Sequence, residues 1–272
     1  MKLGLIGYPI QHSLSPWIHK HFLEQINQEG QYQLYETSGD KFSEVVEEMK
    51  CGGLKGFNVT VPYKQTIIPY LDELDSYAKQ IGAVNTVVFE NNKWIGYNTD
   101  GLGYVQAVKD QYPGLFTGDK KVLILGAGGA ARGIFYALCQ QDFQKIDIAN
   151  RTMEKAIALK DLNQREEIET DCFTFAEAEI KVNNYDLIVQ TTSVGTNEDL
   201  SVLSLEKLTD TSVVSDIVYQ PLTTTFLQQA KDKGARIHRG HTMLLYQAKL
   251  AFQKWSGQTV TVTELMKELE KQ

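Results

Sequence analysis

The feature that most constrains the fold is an apolar strand that runs directly into a glycine-rich turn and then a helix. The strand covers 121–125, the turn reads Gly126-Ala127-Gly128-Gly129-Ala130-Ala131, and an amphipathic helix follows over 130–140. The first glycine permits a tight turn, the second lets the backbone approach a pyrophosphate, and the helix start offers N–H groups to it. The segment predicts a dinucleotide site at Gly126, Ala127, Gly128, Gly129 and Ala130, with an unliganded strand-to-helix turn as the alternative.

The residues after the next predicted strand bear on which dinucleotide binds. That strand, 145–149, ends in Asn150-Arg151-Thr152, with Lys155 one helical turn further on. NAD sites usually place an acidic residue there for the ribose 2′-hydroxyl, whereas a cation suits the 2′-phosphate of NADP. The pattern favours NADP, bound by Asn150, Arg151, Thr152 and Lys155. An ordinary exposed arginine at a helix start is the alternative for Arg151.

Short apolar runs rich in β-forming residues alternate with amphipathic segments, and the alternation restarts after Tyr112-Pro113-Gly114. This pattern is typical of an α/β protein with largely parallel sheets. We predict two domains: an N-terminal α/β substrate domain with a mostly parallel sheet, residues 1–104, and a Rossmann-type NADP-binding domain, residues 105–239. Two C-terminal helical patterns have no strand to cross over to, so residues 240–272 are expected to pack back on the first domain and complete it.

Hydrophobic periodicity and turn residues give the boundaries of the predicted elements. The predicted strands cover residues 2–7, 32–36, 56–60, 84–90, 94–97, 121–125, 145–149, 185–190 and 212–217. The predicted helices cover residues 16–28, 41–49, 130–140, 152–162, 242–255 and 260–271, and a further helix is predicted between Asp100 and Tyr112. Asn91-Asn92 separates two strands, and its tolerance of left-handed backbone predicts a hairpin turn.

Composition excludes several classes of protein. With 42% hydrophobic and 22% charged residues over 272 positions, the chain is neither disordered nor fibrous. A net charge of −7 is unsuited to nucleic acid or an anionic membrane, since both need clustered positive charge. No apolar stretch is long enough for a signal peptide or a membrane span. We expect a cytoplasmic protein with a small-molecule substrate, no nucleic-acid or membrane partner, and a monomeric or homodimeric state.

Cysteine and histidine spacing gives no sign of a metal site. These residues form neither a Cys-x-x-Cys pair nor a His-x-x-x-His pair nor a mixed cluster. We therefore expect reduced thiols and no bound metal. The residues concerned are Cys51, Cys139, Cys172, His12, His19, His21, His238 and His241.

Two serines stand where the first strand gives way to a helix, in Ser13-Leu14-Ser15-Pro16. Ser15 is expected to be the N-cap and Pro16 the first helical residue. Two hydroxyls at a helix start also suit a carboxylate. Capping alone would explain Ser15, whereas it does not require Ser13.

A second polar group follows the predicted strand 56–60. Alternation places Asn58 and Thr60 on one side of this strand, and Pro62 ends it and brings Lys64 just beyond. Open α/β sheets bind ligands at the carboxyl ends of their strands. Asn85 adds a polar side chain near another strand end, where ordinary turn chemistry is the alternative.

These segments, with two later ones, resemble the shikimate dehydrogenase family over nearly the whole chain. The later segments are Asp216-Ile217-Val218-Tyr219-Gln220-Pro221 and Gly240-His241-Thr242-Met243-Leu244-Leu245-Tyr246-Gln247. Their order and spacing match those of the family. The resemblance implies reversible reduction of 3-dehydroshikimate to shikimate with NADPH, on the route to chorismate and the aromatic amino acids.

The resemblance also implies roles for individual residues, with Lys64 and Asp100 as the catalytic pair. Together with the polar segments, it assigns substrate binding to Ser13, Ser15, Asn58, Thr60, Asn85, Tyr219 and Gln247. It places Gly240 and Met243 near the nicotinamide, and the cofactor set further includes Thr191, Ser193 and Ile217. The chain departs from the common family pattern at Lys20, where the family often has Asn, and in the segment 190–196, which contains Thr191 and Ser193.

Ketone reduction explains why a lysine and a carboxylate are needed. Hydride addition leaves negative charge on the carbonyl oxygen, so a proton donor or cation must lie within about 3 Å of it. Lys64 can serve as both, and Asp100 would either hold Lys64 charged and oriented or share its proton. A surface cation and a helix cap are the respective alternatives.

Two other functions stay open. The nearer is a quinate/shikimate dehydrogenase that uses NAD, against which Arg151 argues. The other is a non-catalytic NADP-binding module that senses redox state, which would have no reason to keep Lys64 and Asp100.

Overall fold

The computed structural model describes residues 1–271, and the chain divides into two compact units. Unit 1 comprises residues 1–99 and 247–267, and unit 2 comprises residues 100–246 and the residues from 268 onward. The domain boundaries drawn from the sequence, 104/105 and 239/240, stay a prediction.

Unit 1 is built around a six-stranded sheet. Its strands are β1 (Lys2–Gly7), β2 (Gln31–Glu36), β3 (Gly56–Val59), β4 (Glu73–Leu74), β5 (Thr86–Glu90) and β6 (Lys93–Tyr97). The helices between them are α1 (Ser15–Gln25), α2 (Phe42–Cys51) and α3 (Ser76–Ile81). Asn91 and Asn92 adopt φ of 52° and 58° between the antiparallel strands β5 and β6, which confirms the predicted hairpin turn.

The strand order in unit 1 is β2-β1-β3-β5-β6-β4. β1 runs parallel to β2 and β3, whereas β5 runs antiparallel to β3 and β6. As a result, the carboxyl ends of β1 and β3 and the amino end of β5 lie at the same edge of the sheet. Apolar side chains of β3, β5 and α2 form the core beneath this edge, among them Val46, Met49, Phe57 and Val87.

Unit 2 is built around a second six-stranded sheet. Its strands are β7 (Lys121–Leu125), β8 (Lys145–Ala149), β9 (Cys172–Phe173), β10 (Leu187–Gln190), β11 (Val213–Asp216) and β12 (Arg236–His238). Its helices are α4 (Asp100–Gln111), α5 (Gly129–Cys139), α6 (Met153–Lys160), α7 (Phe175–Lys181) and α8 (Thr225–Asp232). All the strand pairings are parallel, in the order β12-β11-β10-β7-β8-β9.

The strand order of unit 2 reverses direction at β7, since β8 lies on one side of it and β10 on the other. In open α/β sheets such a switch point leaves a crevice outside the carboxyl ends of the strands, where ligands bind. The loops after β7 and β10 border this position. They contain the glycine turn and Thr191, respectively.

The chain ends in two helices, α9 (Gly240–Ser256) and α10 (Thr263–Leu269). Residues 247–267, which include most of both helices, belong to unit 1, whereas residues 240–246 belong to unit 2. The prediction that residues 240–272 complete the first domain stays a prediction. Within residues 1–271, no helix is both long enough and apolar enough to cross a bilayer.

The predicted α/β fold class is confirmed, and β1, β7 and β8 lie at their predicted residues. Six elements had no prediction: β4, α3, β9, α7, α8 and β12. They are two to eight residues long. Elements of that length are too short for hydrophobic periodicity to reveal, because one or two turns carry few apolar positions.

Candidate functional site

The first candidate segment joins β1 to α1. Helix α1 begins at Ser15, and its N-cap is Leu14, so the predicted N-cap role of Ser15 and the placement of Pro16 as first helical residue are wrong. The Oγ of Ser13 accepts the Ser15 backbone N–H at 3.2 Å, so Ser13 satisfies an amide at the helix start. An N-cap side chain reaches such amides because its residue stands just outside the helix, whereas Ser15 is already helical. The Ser15 hydroxyl thus remains available for another partner.

Thr60 and Lys64 follow the carboxyl end of β3. The Thr60 backbone N–H donates to the Ile6 carbonyl at 3.0 Å, which continues the pairing of β3 with β1. The Lys64 carbonyl accepts the Val84 N–H at 2.7 Å, so the backbone at Lys64 is tied to the residue before Asn85. Both Thr60 and Lys64 are partly buried. The structure therefore brings these two predicted residues to the edge of the sheet where β5 begins.

Asn85 lies at the centre of a buried hydrogen-bond network at this edge. Its Nδ2 donates to Thr99 Oγ1 at 2.9 Å and to Gln247 Oε1 at 3.4 Å. Its Oδ1 accepts the Thr99 backbone N–H at 2.8 Å and the Thr86 hydroxyl at 2.9 Å. Asn85 is only 2% exposed. The network joins residues from the loop before β5, the end of β6 and α9, so two predicted substrate residues, Asn85 and Gln247, lie in contact.

Asn58, also predicted to bind substrate, is committed to protein partners. Its Nδ2 donates to the Asn85 carbonyl at 3.0 Å and to Thr86 Oγ1 at 3.2 Å. Its Oδ1 accepts the Tyr32 hydroxyl at 2.7 Å. Both amide hydrogens are thus used within the unit, and Asn58 supports the Asn85 loop from below.

Three residues of this network were not found from the sequence: Tyr32, Thr86 and Thr99. They lie near strand ends, where turn chemistry and strand preference explain tyrosine and threonine without any site. No short motif contains them together, because they come from different elements. Their role emerges only from their shared contacts with Asn58 and Asn85.

The glycine turn of unit 2 lies between β7 and α5. Gly126 has φ of 110°, and a Cβ there would lie 2.7 Å from Thr191 Oγ1, so a side chain would be both strained and obstructed. At Gly128 a Cβ would meet nothing within 4 Å, so the space in front of the helix is open. Gly128 is the N-cap of α5 and has no side chain to cap its amides. This backbone cradle fits the pyrophosphate of a dinucleotide.

The cationic candidates of unit 2 follow β8. The side chains of Arg151, Thr152 and Lys155 are exposed. Asn150 donates through Nδ2 to the Thr152 carbonyl at 2.8 Å and so shapes the turn. Thr152 is the N-cap of α6 but makes no side-chain capping bond. These exposed donors suit a phosphate group.

The acidic residue of β8, Asp147, lies in the middle of the strand and is 2% exposed. Its carboxylate accepts the Tyr185 hydroxyl and the Asp171 backbone N–H, each at 2.7 Å. Burial raises the pKa of Asp147, while these two hydrogen bonds lower it. The carboxylate is thus engaged in the sheet, and no acidic residue ends the strand.

The loops after β10 and β11 hold further cofactor candidates. Thr191 is buried, and its hydroxyl donates to the Leu125 carbonyl at 2.7 Å, next to the glycine turn. Ser193 is exposed. The Ile217 backbone N–H donates to the Gln190 carbonyl at 3.1 Å. The structure therefore places Thr191 beside Gly126 and gives Ser193 no comparable contact with the turn.

A buried carboxylate orders the loop that contains Tyr219. Asp216 is fully buried, accepts the Val218 backbone N–H at 2.9 Å, and accepts the Thr224 hydroxyl at 2.7 Å. Burial raises the pKa of Asp216 to about 6. Tyr219 itself is partly buried, and burial raises its pKa.

The first residues of α9 pack against the segment after β11. A Cβ at Gly240 would lie 2.4 Å from the Ile217 carbonyl oxygen, so only glycine permits this approach. Met243 is 7% exposed, one turn further along the helix. The structure thus brings Gly240 and Ile217 together, and their assignment to the cofactor stays a prediction.

Asp100, the second predicted catalytic residue, is the first residue of α4 and is 4% exposed. It directly follows Thr99, whose backbone N–H is held by Asn85. Asp100 belongs to unit 2 and Lys64 to unit 1. Across residues 1–271, no group of three or more His, Cys, Asp or Glu side chains is arranged to hold a metal ion.

Family models match both halves of the chain. Residues 5–87 match the shikimate dehydrogenase substrate binding domain, and residues 109–218 match the shikimate/quinate 5-dehydrogenase family. A shikimate dehydrogenase (NADP⁺) of Oceanobacillus iheyensis is 49% identical to this chain, with 99% of this chain and 97% of the relative covered.

Solved structures give the same result for the fold. Shikimate 5-dehydrogenase of Thermus thermophilus, in complex with NADP(H) and shikimate, has a TM-score of 0.88 and 31% identity over 100% of this chain and 99% of its own. Quinate dehydrogenase of Corynebacterium glutamicum, in complex with NAD, has a TM-score of 0.89 and 28% identity over 100% of this chain and 99% of its own. The match therefore extends over both units.

Proposed function

The chain belongs to the shikimate dehydrogenase family, and we propose that it catalyses the reversible NADPH-dependent reduction of 3-dehydroshikimate to shikimate in chorismate and aromatic amino acid biosynthesis. The observation that carries the proposal is the buried network of unit 1, in which Asn85 binds Thr99 and Gln247. Amide and hydroxyl side chains at a strand-end edge suit a substrate with one carboxylate and several hydroxyl groups.

We assign the chemistry to Lys64 and Asp100. NADPH supplies the hydride to the carbonyl carbon. The Lys64 ammonium stabilises the negative charge that develops on the carbonyl oxygen and donates a proton to it. Asp100 keeps Lys64 charged and oriented or shares that proton. In the reverse direction, Lys64 accepts the proton of the substrate hydroxyl.

We assign substrate binding to hydroxyl and amide side chains. Ser13 and Ser15 bind the carboxylate at the start of α1, where the N-cap residue Leu14 makes no side-chain capping bond. Thr60, Asn85, Tyr219 and Gln247 bind the hydroxyl groups. Asn58, whose amide hydrogens are both donated within unit 1, acts through Asn85.

We assign the cofactor to unit 2. The backbone from Gly126 to Ala130 holds the pyrophosphate at the start of α5, supported by the open space at Gly128. The 2′-phosphate is bound by Asn150, Arg151, Thr152 and Lys155. The nicotinamide end is bordered by Thr191, Ser193, Ile217, Gly240 and Met243. The close approach of Gly240 to the Ile217 carbonyl and the buried Thr191 give this end its shape.

We further propose that residues 1–104 with 240–272 act as the substrate domain, that residues 105–239 act as the cofactor domain, and that the protein works in the cytoplasm as a monomer or homodimer. The dispersed cysteines support this location, since their spacing suggests no disulfide framework. Sedimentation velocity across a dilution series would distinguish the two oligomeric states.

A direct assay tests the activity. Purified protein is mixed with 3-dehydroshikimate and NADPH, and oxidation of the cofactor is followed by its absorbance. We expect turnover that depends on both reactants, with shikimate identified as the product by chromatography. Absence of oxidation at saturating reactants would contradict the proposal and would favour a non-catalytic NADP-binding module.

A quinate/shikimate dehydrogenase that uses NAD is the second candidate, since a quinate dehydrogenase complexed with NAD shares the fold. Against it, β8 ends without an acidic residue for the ribose 2′-hydroxyl, and Arg151 is exposed at that position. The same assay with NADH, and in reverse with quinate, separates the candidates. Equal rates with NADH and NADPH would contradict the NADP assignment.

A further inference from the structure

His238 is a fully buried histidine at the end of β12, and no step of the proposed reaction uses it. Its ring is hydrogen-bonded at both nitrogens, since Nδ1 lies 2.9 Å from Ser215 Oγ and Nε2 lies 2.9 Å from Thr242 Oγ1. Ser215 belongs to β11 and Thr242 to the first turn of α9, and all three residues lie in unit 2. One imidazole therefore connects the start of α9 to the sheet of unit 2.

The direction of these hydrogen bonds follows from the partners of His238. The Thr242 hydroxyl donates to the Arg239 carbonyl at 2.9 Å, so its oxygen accepts the hydrogen of His238 Nε2. The neutral ring then has a lone pair at Nδ1, which accepts the hydrogen of the Ser215 hydroxyl. Burial, with a smaller contribution from His241, lowers the pKa of His238 to about 3, so the ring is neutral near pH 7. These groups thus form one chain in which each donor has an acceptor.

The His238 ring is also held by packing against Tyr104 of α4. The two rings meet edge to face, with centroids 5.8 Å apart and an interplanar angle of 85°. Both rings are fully buried, where close packing restricts their movement. The position of the Thr242 hydroxyl is therefore set by a ring that is itself fixed by packing as well as by hydrogen bonds.

The start of α9 is the part of unit 2 that the proposed function places beside the nicotinamide. A Cβ at Gly240 would lie 2.4 Å from the Ile217 carbonyl oxygen, so the helix begins in tight contact with the segment after β11. Thr242 lies between Gly240 and Met243 in the chain. A displacement of Thr242 would therefore move both residues of α9 that are assigned to the nicotinamide end.

We propose that His238 is a positioning residue for hydride transfer, which holds the first turn of α9 through Thr242 and so sets the place of the nicotinamide. The inference rests on the proposed function, in which Gly240 and Met243 border the nicotinamide. Hydride transfer depends steeply on the distance and angle between the reacting atoms. A first turn held less firmly should therefore slow turnover and weaken binding of the nicotinamide half of the cofactor, while the adenosine half binds as before.

His238→Phe tests this role, because phenylalanine keeps a planar ring beside Tyr104 and cannot hydrogen-bond Thr242. We expect kcat to fall about tenfold and Kd for NADP⁺ to rise about 3- to 10-fold, the range of one neutral hydrogen bond. Kd for adenosine 2′,5′-bisphosphate, which lacks the nicotinamide, should stay within about twofold, since the glycine turn and the exposed cations are unchanged. Steady-state kinetics and isothermal titration calorimetry measure these values.

Ser215→Ala and Ser212→Ala form a milder matched pair, since each removes one buried hydroxyl at β11 or directly before it. Ser215 Oγ bonds His238, whereas Ser212 Oγ donates to the Tyr185 carbonyl at 2.8 Å. Both variants should lower the melting temperature through a lost hydrogen bond. Only Ser215→Ala should lower kcat, by about threefold, and Ser212→Ala should leave kcat and both dissociation constants near those of the wild type.

A double-mutant cycle with Thr242→Val shows whether His238 acts through Thr242. His238→Phe should lower kcat clearly less in the Thr242→Val background than in the wild type, because the hydroxyl that it holds is already lost. Unchanged kcat, equal weakening of NADP⁺ and adenosine 2′,5′-bisphosphate, or full additivity in the cycle would overturn the proposal. The binding measurements need no turnover, so a wild-type protein without turnover would contradict the proposed function alone, and the two dissociation constants would still decide the role of His238.

Discussion

In unit 1 the candidate ligand residues are side chains hydrogen-bonded to one another, whereas in unit 2 they are mainly backbone groups and exposed side chains. Asn58 and Asn85 are 7% and 2% exposed, and each is held by several partners. The glycine turn presents backbone N–H groups in front of an open space, and Arg151 and Lys155 are exposed. The candidate ligand side chains of unit 1 are thus fixed by hydrogen bonds, whereas those of unit 2 are exposed to solvent.

The difference matches what each ligand demands. A small polyhydroxylated ring is distinguished from its isomers only by groups fixed in advance, because unpaired buried polar groups reject a wrong partner. A pyrophosphate is common to all dinucleotides, so a backbone cradle suffices for it, and exposed cations add preference for a 2′-phosphate. On the proposed assignments, specificity in unit 1 resides in side-chain positions, and in unit 2 it resides in a few surface charges.

Lys64→Ala separates the contribution of the proton donor from that of the Asn85 network, and we expect it to have the largest effect on turnover. We expect kcat to fall by about a thousandfold, because the cation that stabilises the developing oxyanion is lost. KM for shikimate should stay within about tenfold, since the Asn85 network is untouched. Steady-state kinetics in both directions measure the two parameters.

Lys41→Ala is the control for this variant, because Lys41 is an exposed lysine of unit 1 outside the site. It should leave both parameters near those of the wild type. A Lys64→Ala enzyme with wild-type kcat would remove Lys64 from the catalytic pair.

Asp216→Asn tests the exception in unit 2, a buried polar network that resembles those of unit 1. The folded-state pKa of Asp216 is raised from 3.8 to about 6 by burial, so the folded protein binds the proton more tightly than the unfolded chain does. The unfolding free energy of the wild type should therefore fall, relative to that of the variant, by about 2 kcal/mol as the pH rises from about 4 to 7. Urea unfolding across this pH range measures the difference.

Glu206→Gln controls for the loss of one carboxyl group, because Glu206 is exposed in the same unit. Its difference from the wild type should show no comparable fall over the same pH range. A pH-independent difference for Asp216→Asn would mean that burial of Asp216 does not favour its protonated form.

Arg151→Ala tests whether the exposed cations of unit 2 select the cofactor, and we expect it to have the smallest effect. We expect KM for NADPH to rise about tenfold and KM for NADH to change little, because only NADPH carries the 2′-phosphate. The rise should shrink at high salt, since an exposed charge is screened. Lys160→Ala, on the exposed face of α6, is the control for a general loss of positive charge. Equal effects of Arg151→Ala on both cofactors would contradict the assignment of the 2′-phosphate.

The same contrast decides how much of each site the sequence could predict. The cofactor turn could be predicted from the sequence because its glycine meets a purely local requirement. Gly126 has a φ of 110°, which residues with a side chain rarely adopt. The cations after β8 could be predicted for a similar reason. A residue that follows a strand end is exposed without needing a distant partner. The substrate residues were predicted from motifs and from the family resemblance. Their hydrogen bonds to one another were not predicted.

The role of Ser15 shows where local reasoning fails. Sequence preference places serine at an N-cap, yet the helix begins one residue earlier than predicted and Ser13 accepts the amide instead. The boundary is shifted by a single residue, which propensities do not resolve. With the boundary moved, Ser15 loses its predicted capping role and keeps only its predicted role as a substrate ligand.

The sequence by itself determined the α/β class, the cofactor turn, the absence of an acid after β8, and the family. Only the tertiary structure decided that Asn58 donates both amide hydrogens to protein partners, that Tyr32 donates to Asn58, and that Gln247 reaches Asn85. Tyr32 and Asn58 are 26 positions apart in the chain, and Asn85 and Gln247 are 162 apart. Backbone conformation is set largely by neighbouring residues, whereas a hydrogen-bond partner is chosen by whichever distant groups the fold brings within about 3 Å.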